Sequence, residues 1–324
     1  MCTAVSWRSK DHYFGRNLDL EYGYNDTVTI TPRNYPFEFR MMELLDTHYA
    51  MVGMATVISG YPLYYEATNE KGLSMAGLNF PGNAVYLPPR QDQVNVTPFE
   101  FIPWILGQCA DVNTALALLK DLNLVHIPFS AELPLSPLHW IIADRECSIV
   151  VEPMDDGLHI YENPVGVLTN NPPFDFHLHN LGLYLNVTPD QAVSRFSENY
   201  SLTPWSRGMG GLGLPGDFSS ASRFVKATFV KLNSLSDGSE EESISQFFHI
   251  LSSVAMPRGS VMVGDSKPDI TRYSCCCNTD IGIYYYQTYD NSRIHGVDLH
   301  RENLDGKTPV SYPLITHESI KIQN

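Results

Sequence analysis

The chain has 324 residues, 43% of them apolar, and a formal net charge of −15 at pH 7. That size and apolar content supports a sizeable buried core without disulfide or metal staples. The acidic balance, with no basic patch interleaved with aromatics, argues against a nucleic-acid partner but does not exclude an anionic small molecule, because a few buried arginines can set the sign of a pocket locally.

In chain order, Cys2 to Trp7 reads as a short β-prone run, His12 to Leu18 as a second one interrupted by Gly15, and Thr27 to Thr31 as a third closed by Pro32. Gly72 to Asn79 looks like a strand whose glycines permit close approach by another backbone. Thr97-Pro-Phe-Glu100 combines an N-cap, a proline at the first helical position and a glutamate three residues on, ahead of apolar residues through Leu106. Asp111 is placed to cap a second helix ending near Lys120, and His139 to Ala143 and Ser148 to Glu152 read as strands. Gly166 to Asn170 leads into Asn171-Pro-Pro, which stops regular structure. Ser219 or Ser220 starts a helix carrying Phe224, Ala227, Val230 and Lys231, and another covers about Glu241 to Leu251. The polar stretch from Ser234 to Ser243 reads as a solvated connection between helices rather than a domain boundary. Ile283 to Tyr289 and Arg293 to Leu299 flank Asp290-Asn-Ser292, a hairpin signature. Strands, helices, strands, helices, strands is not the rhythm of a doubly wound sheet. It predicts an α+β domain of antiparallel sheets covered by helices in layers, spanning 1–324 as one unit.

The chain opens Met-Cys-Thr-Ala-Val-Ser-Trp and reaches Arg8 too soon for the apolar core of a secretory leader, and no apolar run is long enough to span a bilayer. The expectation is a cytoplasmic protein with no membrane partner. Cys2, Cys109, Cys147, Cys275, Cys276 and Cys277 offer no paired zinc-ligand spacing, and reduced thiols suit that compartment. The Cys275–Cys277 run is read as small apolar residues alternating across a strand.

Cys2 carries the first chemical hypothesis. Removal of Met1 would place an α-amine on the same residue as a thiol. The amine titrates near ~7.7–8.0 and the thiol near ~8.5, so one residue can supply both proton acceptor and nucleophile. The mature chain would then run 2–324. In an extended Phe14–Leu20, Arg16 and Leu18 share one face and Asn17 and Asp19 the other. Arg16 near Cys2 would favour thiolate, and Asp19 could accept the amine's hydrogens; a local Arg16–Asp19 salt bridge is the alternative. Asn79 and Asn170 each stand where a strand stops, as donors for an oxyanion or as ordinary turn residues. His139 opens an apolar run and reads as a satisfied structural histidine rather than a base. Arg207 to Gly216 is rich in glycine but lacks the GxxxxGK[ST] pattern of a phosphate loop.

Taken together, the opening Met-Cys-Thr, Tyr13-Phe-Gly-Arg-Asn-Leu-Asp19, Asn69-Glu-Lys-Gly-Leu-Ser-Met-Ala-Gly-Leu-Asn79, Leu135-Ser-Pro-Leu-His-Trp140, Gly166-Val-Leu-Thr-Asn-Asn-Pro172, Ser206–Asp217 and Ser219-Ser-Ala-Ser-Arg-Phe224 resemble the choloylglycine hydrolase family of conjugated bile salt hydrolases and penicillin V acylases. The resemblance runs along essentially the whole chain. It implies a four-layer αββα sandwich of the N-terminal-nucleophile hydrolase type and no metal or organic cofactor. Cys2 would be the nucleophile, Arg16 would poise its thiol and Asp19 would bind the free α-amine. Asn170 would lend its side-chain amide, and Asn79 its backbone N–H, to the oxyanion hole, while Arg223 would support charge balance. Bile salt hydrolases usually carry asparagine at the position of Asn79 and several penicillin V acylases tyrosine. The resemblance therefore implies glycine- and taurine-conjugated bile salts as substrates, with penicillin V acylase activity as the alternative. It places Tyr22, Tyr24, Tyr61, Tyr65, Phe129 and Leu135 in loops that build the pocket mouth. It also implies a homotetramer assembled through an excursion around 186–217.

Overall fold

The computed structural model describes residues 1–264 and 266–324. The first strands are β1 (Cys2–Arg8), β2 (His12–Leu20), β3 (Thr27–Thr31), β4 (Met51–Ile58), β5 (Tyr61–Asn69) and β6 (Ser74–Asn79). Among the described residues, a six-stranded sheet runs in the order Val167–Leu168, β1, β2, Ile270–Asn278, Ile283–Thr288, Asn291–Asp298. An eight-stranded sheet runs Gly157–Glu162, Ser148–Met154, Leu138–Ala143, β6, β5, β4, β3, Val310–Pro313. Neighbouring strands in both are antiparallel.

The two sheets stack face to face. Ala4, Val52, Met54, Ala76, Leu78, Ile141 and Cys275 share one core with Phe224, Phe247 and Leu251. Helices α1 (Phe101–Gln108) and α2 (Val112–Leu119) cover the outer face of the larger sheet, packing Phe101, Trp104 and Ile105 against Met75, Trp140 and Ile142. A short helix, α3 (Phe174–Asn180), follows the Asn171-Pro-Pro stop; α4 (Ser220–Leu232) and α5 (Glu240–Ser252) cover the outer face of the smaller sheet. This is the expected αββα layering. With both faces covered, β1 and most of β2 are buried at successive residues instead of alternating with water. Gly15 is required by that packing: a Cβ there would stand 1.8 Å from the Cys275 carbonyl oxygen of the adjoining strand.

Several local expectations hold for their stated reasons. Asp111 caps α2 by accepting from Thr114 N at 2.7 Å, and Cys275, Cys276 and Cys277 are buried and free. Others change. The helix expected from Thr97 begins at Phe101, because Pro98 to Glu100 form a turn first. Only half the capping box forms: Glu100 accepts from Thr97 N at 3.3 Å, while the Thr97 hydroxyl is buried with no partner among the described residues. Val167–Leu168 is all that pairs of the expected 166–170 strand. The hairpin turns at Tyr289–Asp290, since Asn291 already pairs with Thr288. The polar 234–243 stretch is a connection only as far as Ser239, whose side chain caps α5. No described helix is long and apolar enough to cross a membrane.

Candidate active site

Five of the residues singled out from sequence, Cys2, Asp19, Asn79, Asn170 and Arg223, come together at one rim of the sandwich because each sits where an element starts or stops. Cys2 opens β1, Asp19 lies next to the end of β2, and Asn79 closes β6. Asn170 follows the Val167–Leu168 strand, and Arg223 lies in the first turn of α4. Loop ends held by a rigid scaffold give fixed geometry without blocking access.

Register places the nucleophile. Cys2 pairs with Leu18 and Ala4 with Arg16, so Cys2 and Arg16 share the face turned toward the larger sheet. Cys2 is 3% exposed. The Arg16 guanidinium crosses between the sheets: Nη1 donates to Gly77 O at 2.6 Å and Tyr65 O at 3.3 Å. Tyr65 is the residue skipped by the pairing of β4 with β5, a bulge that leaves its carbonyl available. Nη1 also lies 3.7 Å from Glu66 Oε2. Burial opposes the Arg16 charge, but Cys2, Tyr273, Glu66 and Cys275 outweigh it and raise its pKa. The Nη2 group is buried with no hydrogen-bond partner among the described residues.

Asn17 and Asp19 face the other way, as alternation requires: Asn17 donates to Leu251 O of α5 at 2.9 Å. The local Arg16–Asp19 salt bridge weighed from sequence is therefore not formed. Asp19 Oδ1 accepts from the Thr271 hydroxyl at 2.6 Å, while Oδ2 is buried without a partner among the described residues. Burial raises the Asp19 carboxyl pKa, with Arg223 and the chain-terminal ammonium pulling against it.

Met1 extends β1 by one step. Its ammonium donates to Asp19 O at 2.6 Å and lies 3.3 Å from Asp269 Oδ2, and its carbonyl accepts from Asp19 N at 2.9 Å. With Met1 attached, the Cys2 nitrogen is a peptide N–H, and the atom it meets is Asn170 Oδ1 at 2.8 Å rather than Asp19.

Asn170 is held from every side. Its Oδ1 accepts from Cys2 N and from Arg223 Nη2 at 2.8 Å, and its Nδ2 donates to Asn79 O at 2.7 Å. Two donors at one end and a carbonyl at the other fix which way the amide points. One of the two amide hydrogens is thus committed to Asn79 O. Ser220 Oγ accepts from Asn170 N at 2.8 Å, and His177 Nε2 meets Asn170 O at 2.9 Å. At Asn79, Phe80 N donates to Pro137 O at 2.7 Å. Antiparallel alternation then leaves the Asn79 N–H on the opposite edge, past Ala76 where pairing with β5 stops. Arg223 joins the pieces: Nη1 donates to Cys2 O and to the Thr3 hydroxyl, the latter at 2.7 Å, and Nε donates to Phe218 O at 3.0 Å. Burial lowers the Arg223 pKa, partly offset by Asp19, Cys2 and Asp269.

The six pocket candidates separate into groups. Tyr65 bears on the centre through its carbonyl, with its hydroxyl tied to Asp26 at 2.8 Å. Tyr61 and Phe129 lie 5.7 Å apart in an aromatic cluster with Phe37 and Phe99, beneath Arg40. Tyr22 and Tyr24 form an exposed edge-to-face pair at 5.0 Å. Leu135 is half-buried in the loop before the strand that pairs with Asn79. Sequence reasoning missed Glu66, Thr271 and Asp269, and took Ser220 only as a possible helix start. Glu66 carried a signal, a carboxylate inside the β-prone Tyr64-Tyr-Glu-Ala-Thr68 run; Thr271 and Asp269 carried none.

Comparison with known proteins identifies the family. The model of the linear amide C–N hydrolases, choloylglycine hydrolase family, matches residues 2–312. The bile salt hydrolase/transferase of Lactiplantibacillus plantarum is 56% identical over 314 residues, 97% of each chain. That of Clostridium perfringens is 39% identical over 320 residues, 96% of each chain. The crystal structure of the C2A conjugated bile acid hydrolase from Clostridium perfringens superposes with a TM-score of 0.93 at 38% identity, covering 100% of both chains. A penicillin V acylase from Agrobacterium tumefaciens shares the fold, with a TM-score of 0.77 at 16% identity over 98% of this chain and 94% of that one. The chain belongs to the choloylglycine hydrolase family. Within it, the enzyme is a cysteine N-terminal-nucleophile amidohydrolase.

Proposed function

We propose that the enzyme hydrolyses the amide bond of glycine- and taurine-conjugated bile salts through a thioester on Cys2. The observation that carries the reading is the Cys2 nitrogen: it is already held, 2.8 Å from Asn170 Oδ1, beside a buried thiol. Loss of Met1 converts this peptide N–H into a primary amine and uncovers the N–H and C=O of Asp19 for it. The identity with bile salt hydrolases over nearly the whole chain supports the substrate class.

In this mechanism the Cys2 thiolate, on the strand face it shares with the Arg16 guanidinium, adds to the substrate carbonyl. The second hydrogen of Asn170 Nδ2 and the Asn79 N–H receive the oxyanion. Collapse breaks the C–N bond as the Cys2 ammonium protonates the departing nitrogen. Water, deprotonated by the same amine, then releases the bile acid from sulfur. Asp19 orients the amine, and Arg223 holds Cys2 O and Asn170 in register. The steroid rests on an apolar mouth lined by Tyr22, Tyr24, Tyr61, Tyr65, Phe129 and Leu135; burial there contributes roughly 25 cal/mol per Å².

Release of glycine and taurine from glycocholate and taurocholate, run beside phenoxymethyl penicillin, tests the reading. The conjugated bile salts are expected to give the higher kcat/KM, and Cys2→Ser, checked for folding, to abolish turnover of both. A higher kcat/KM for the penicillin sinks the substrate assignment, and unchanged hydrolysis by Cys2→Ser sinks the nucleophile.

The chain is further read as a cytoplasmic homotetramer joined through the 186–217 excursion. Leu183, Leu185, Val193, Phe196 and Trp205 are all exposed in and beside this segment, an apolar concentration that a solitary subunit rarely presents to water. Light scattering is expected to give four times the chain mass, and Phe196→Ser/Trp205→Ser to give smaller species. A monomeric parent contradicts the assembly.

A further inference from the structure

We infer that His139, clamped by Glu152, is a positioning residue that sets the spacing between the two oxyanion donors. The inference rests on the reading of Asn79 and Asn170 given above. Both His139 and Glu152 are fully buried. The imidazole stands between the two donors and touches the chain neighbour of each. Its ring stacks on Phe80, the residue after Asn79, with centroids 4.3 Å apart and planes within 4°. Its Nε2 lies 2.9 Å from the carbonyl oxygen of Thr169, the residue before Asn170. A carbonyl oxygen only accepts, so Nε2 carries the hydrogen.

The far side of the ring is equally determined. Nδ1 lies 2.8 Å from Glu152 Oε1. The pair is therefore an imidazolium facing a carboxylate or a neutral ring accepting from a carboxylic acid, and either form leaves His139 one orientation. Glu152 is itself anchored, accepting from Phe174 N at 3.2 Å through both oxygens. Phe174 begins α3, the helix that follows the Asn170 loop and returns His177 to Asn170 O. The Glu152–His139 clamp thus reaches Asn170 by two routes, through Thr169 O and through the start of α3, and Asn79 by a third, through Phe80. An oxyanion donor works only at hydrogen-bond distance from where the negative charge develops, so a small displacement of either residue is a large loss. A histidine serving only core stability would not couple to Asn170.

A double-mutant cycle on the mature enzyme, with glycocholate as substrate, tests this. His139→Leu removes the donor to Thr169 O and is expected to lower kcat by about 10- to 100-fold, less than the roughly 10²–10³-fold of losing an oxyanion donor outright, with KM within about threefold. In an Asn170→Ala background the same change is expected to cost clearly less than in the parent, because the routes through Thr169 O and α3 then act on a donor already absent and only the route through Phe80 to Asn79 remains. If His139→Leu does not fold, Glu152→Gln carries the cycle with an expected loss of about 3- to 10-fold on kcat. A variant that loses thermal stability but keeps kcat, or loses the same factor in both backgrounds, overturns the positioning role while leaving the oxyanion assignment intact. Unchanged kcat in Asn170→Ala alone removes the oxyanion assignment and this inference with it.

Discussion

Arg16 and Glu66 show how one buried ion pair divides between chemistry and stability. Both are about 1% exposed, and Glu66 also accepts from Tyr273 at 2.8 Å and Tyr284 at 2.6 Å. Burial raises the Glu66 carboxyl pKa, with Arg16 and the two tyrosines opposing the rise. Removing one partner leaves an uncompensated buried charge, so Arg16→Gln is expected to destabilise by about 3–5 kcal/mol in urea unfolding. It also removes the positive charge facing Cys2. Arg16→Gln/Glu66→Gln is expected to recover most of that stability and none of the turnover. Activity that returns together with stability would reduce Arg16 to a packing role. At this scale the sequence was informative by parity alone: alternation along β2 sent Arg16 and Asp19 to opposite faces, as found. Their partners were illegible, because Glu66 and Thr271 lie 50 and more residues away and only the stacking of strands brings them near.

Strands that cross a covered core bury polar groups at their ends as well, and this is expected to make the fold sensitive to acid. His12 opens β2 and is held between the Ser6 hydroxyl at 2.9 Å and the Thr279 hydroxyl at 2.8 Å. Burial pushes its pKa down to about 4, against the pull of Asp280 and Asp144. An unfolded histidine titrates near ~6.5, so between those values the unfolded chain holds the extra proton. Stability attributed to His12 is complete above pH ~6.5 and is lost as pH falls toward 4, by about 3 kcal/mol in all. His12→Asn is expected to flatten this part of the acid limb when urea unfolding is compared at pH 7 and pH 5. Identical pH dependence in parent and variant contradicts it. Element boundaries were legible where a local bond makes them, as Asp111 does for α2, and illegible where packing does. Before α1 the Glu100 carboxylate accepts from Thr97 N and also, at 2.7 Å, from the N–H of Arg40, a partner 60 residues away in the chain.

Across the whole molecule, four layers place five element ends at one rim, and the chain's second residue is one of them. The layer order followed from the alternation of strand and helix runs, but the meeting of residues 2, 19, 79, 170 and 223 did not. That convergence depends on sheet order, in which β1 lies between Val167–Leu168 and β2, and on α4 crossing β1. Sequence periodicity carries no information about either; the family motifs did. In the proposed mechanism, catalysis turns on the freed Cys2 amine moving the protons. The decisive comparison is turnover of enzyme beginning at an unmodified Cys2 against enzyme whose Cys2 nitrogen is acetylated, both verified by intact mass and folding. General acid–base groups contribute about 10²–10⁴-fold, so the acetylated enzyme is expected to lose at least about a hundredfold in kcat. Equal turnover in the two would remove the amine from the chemistry.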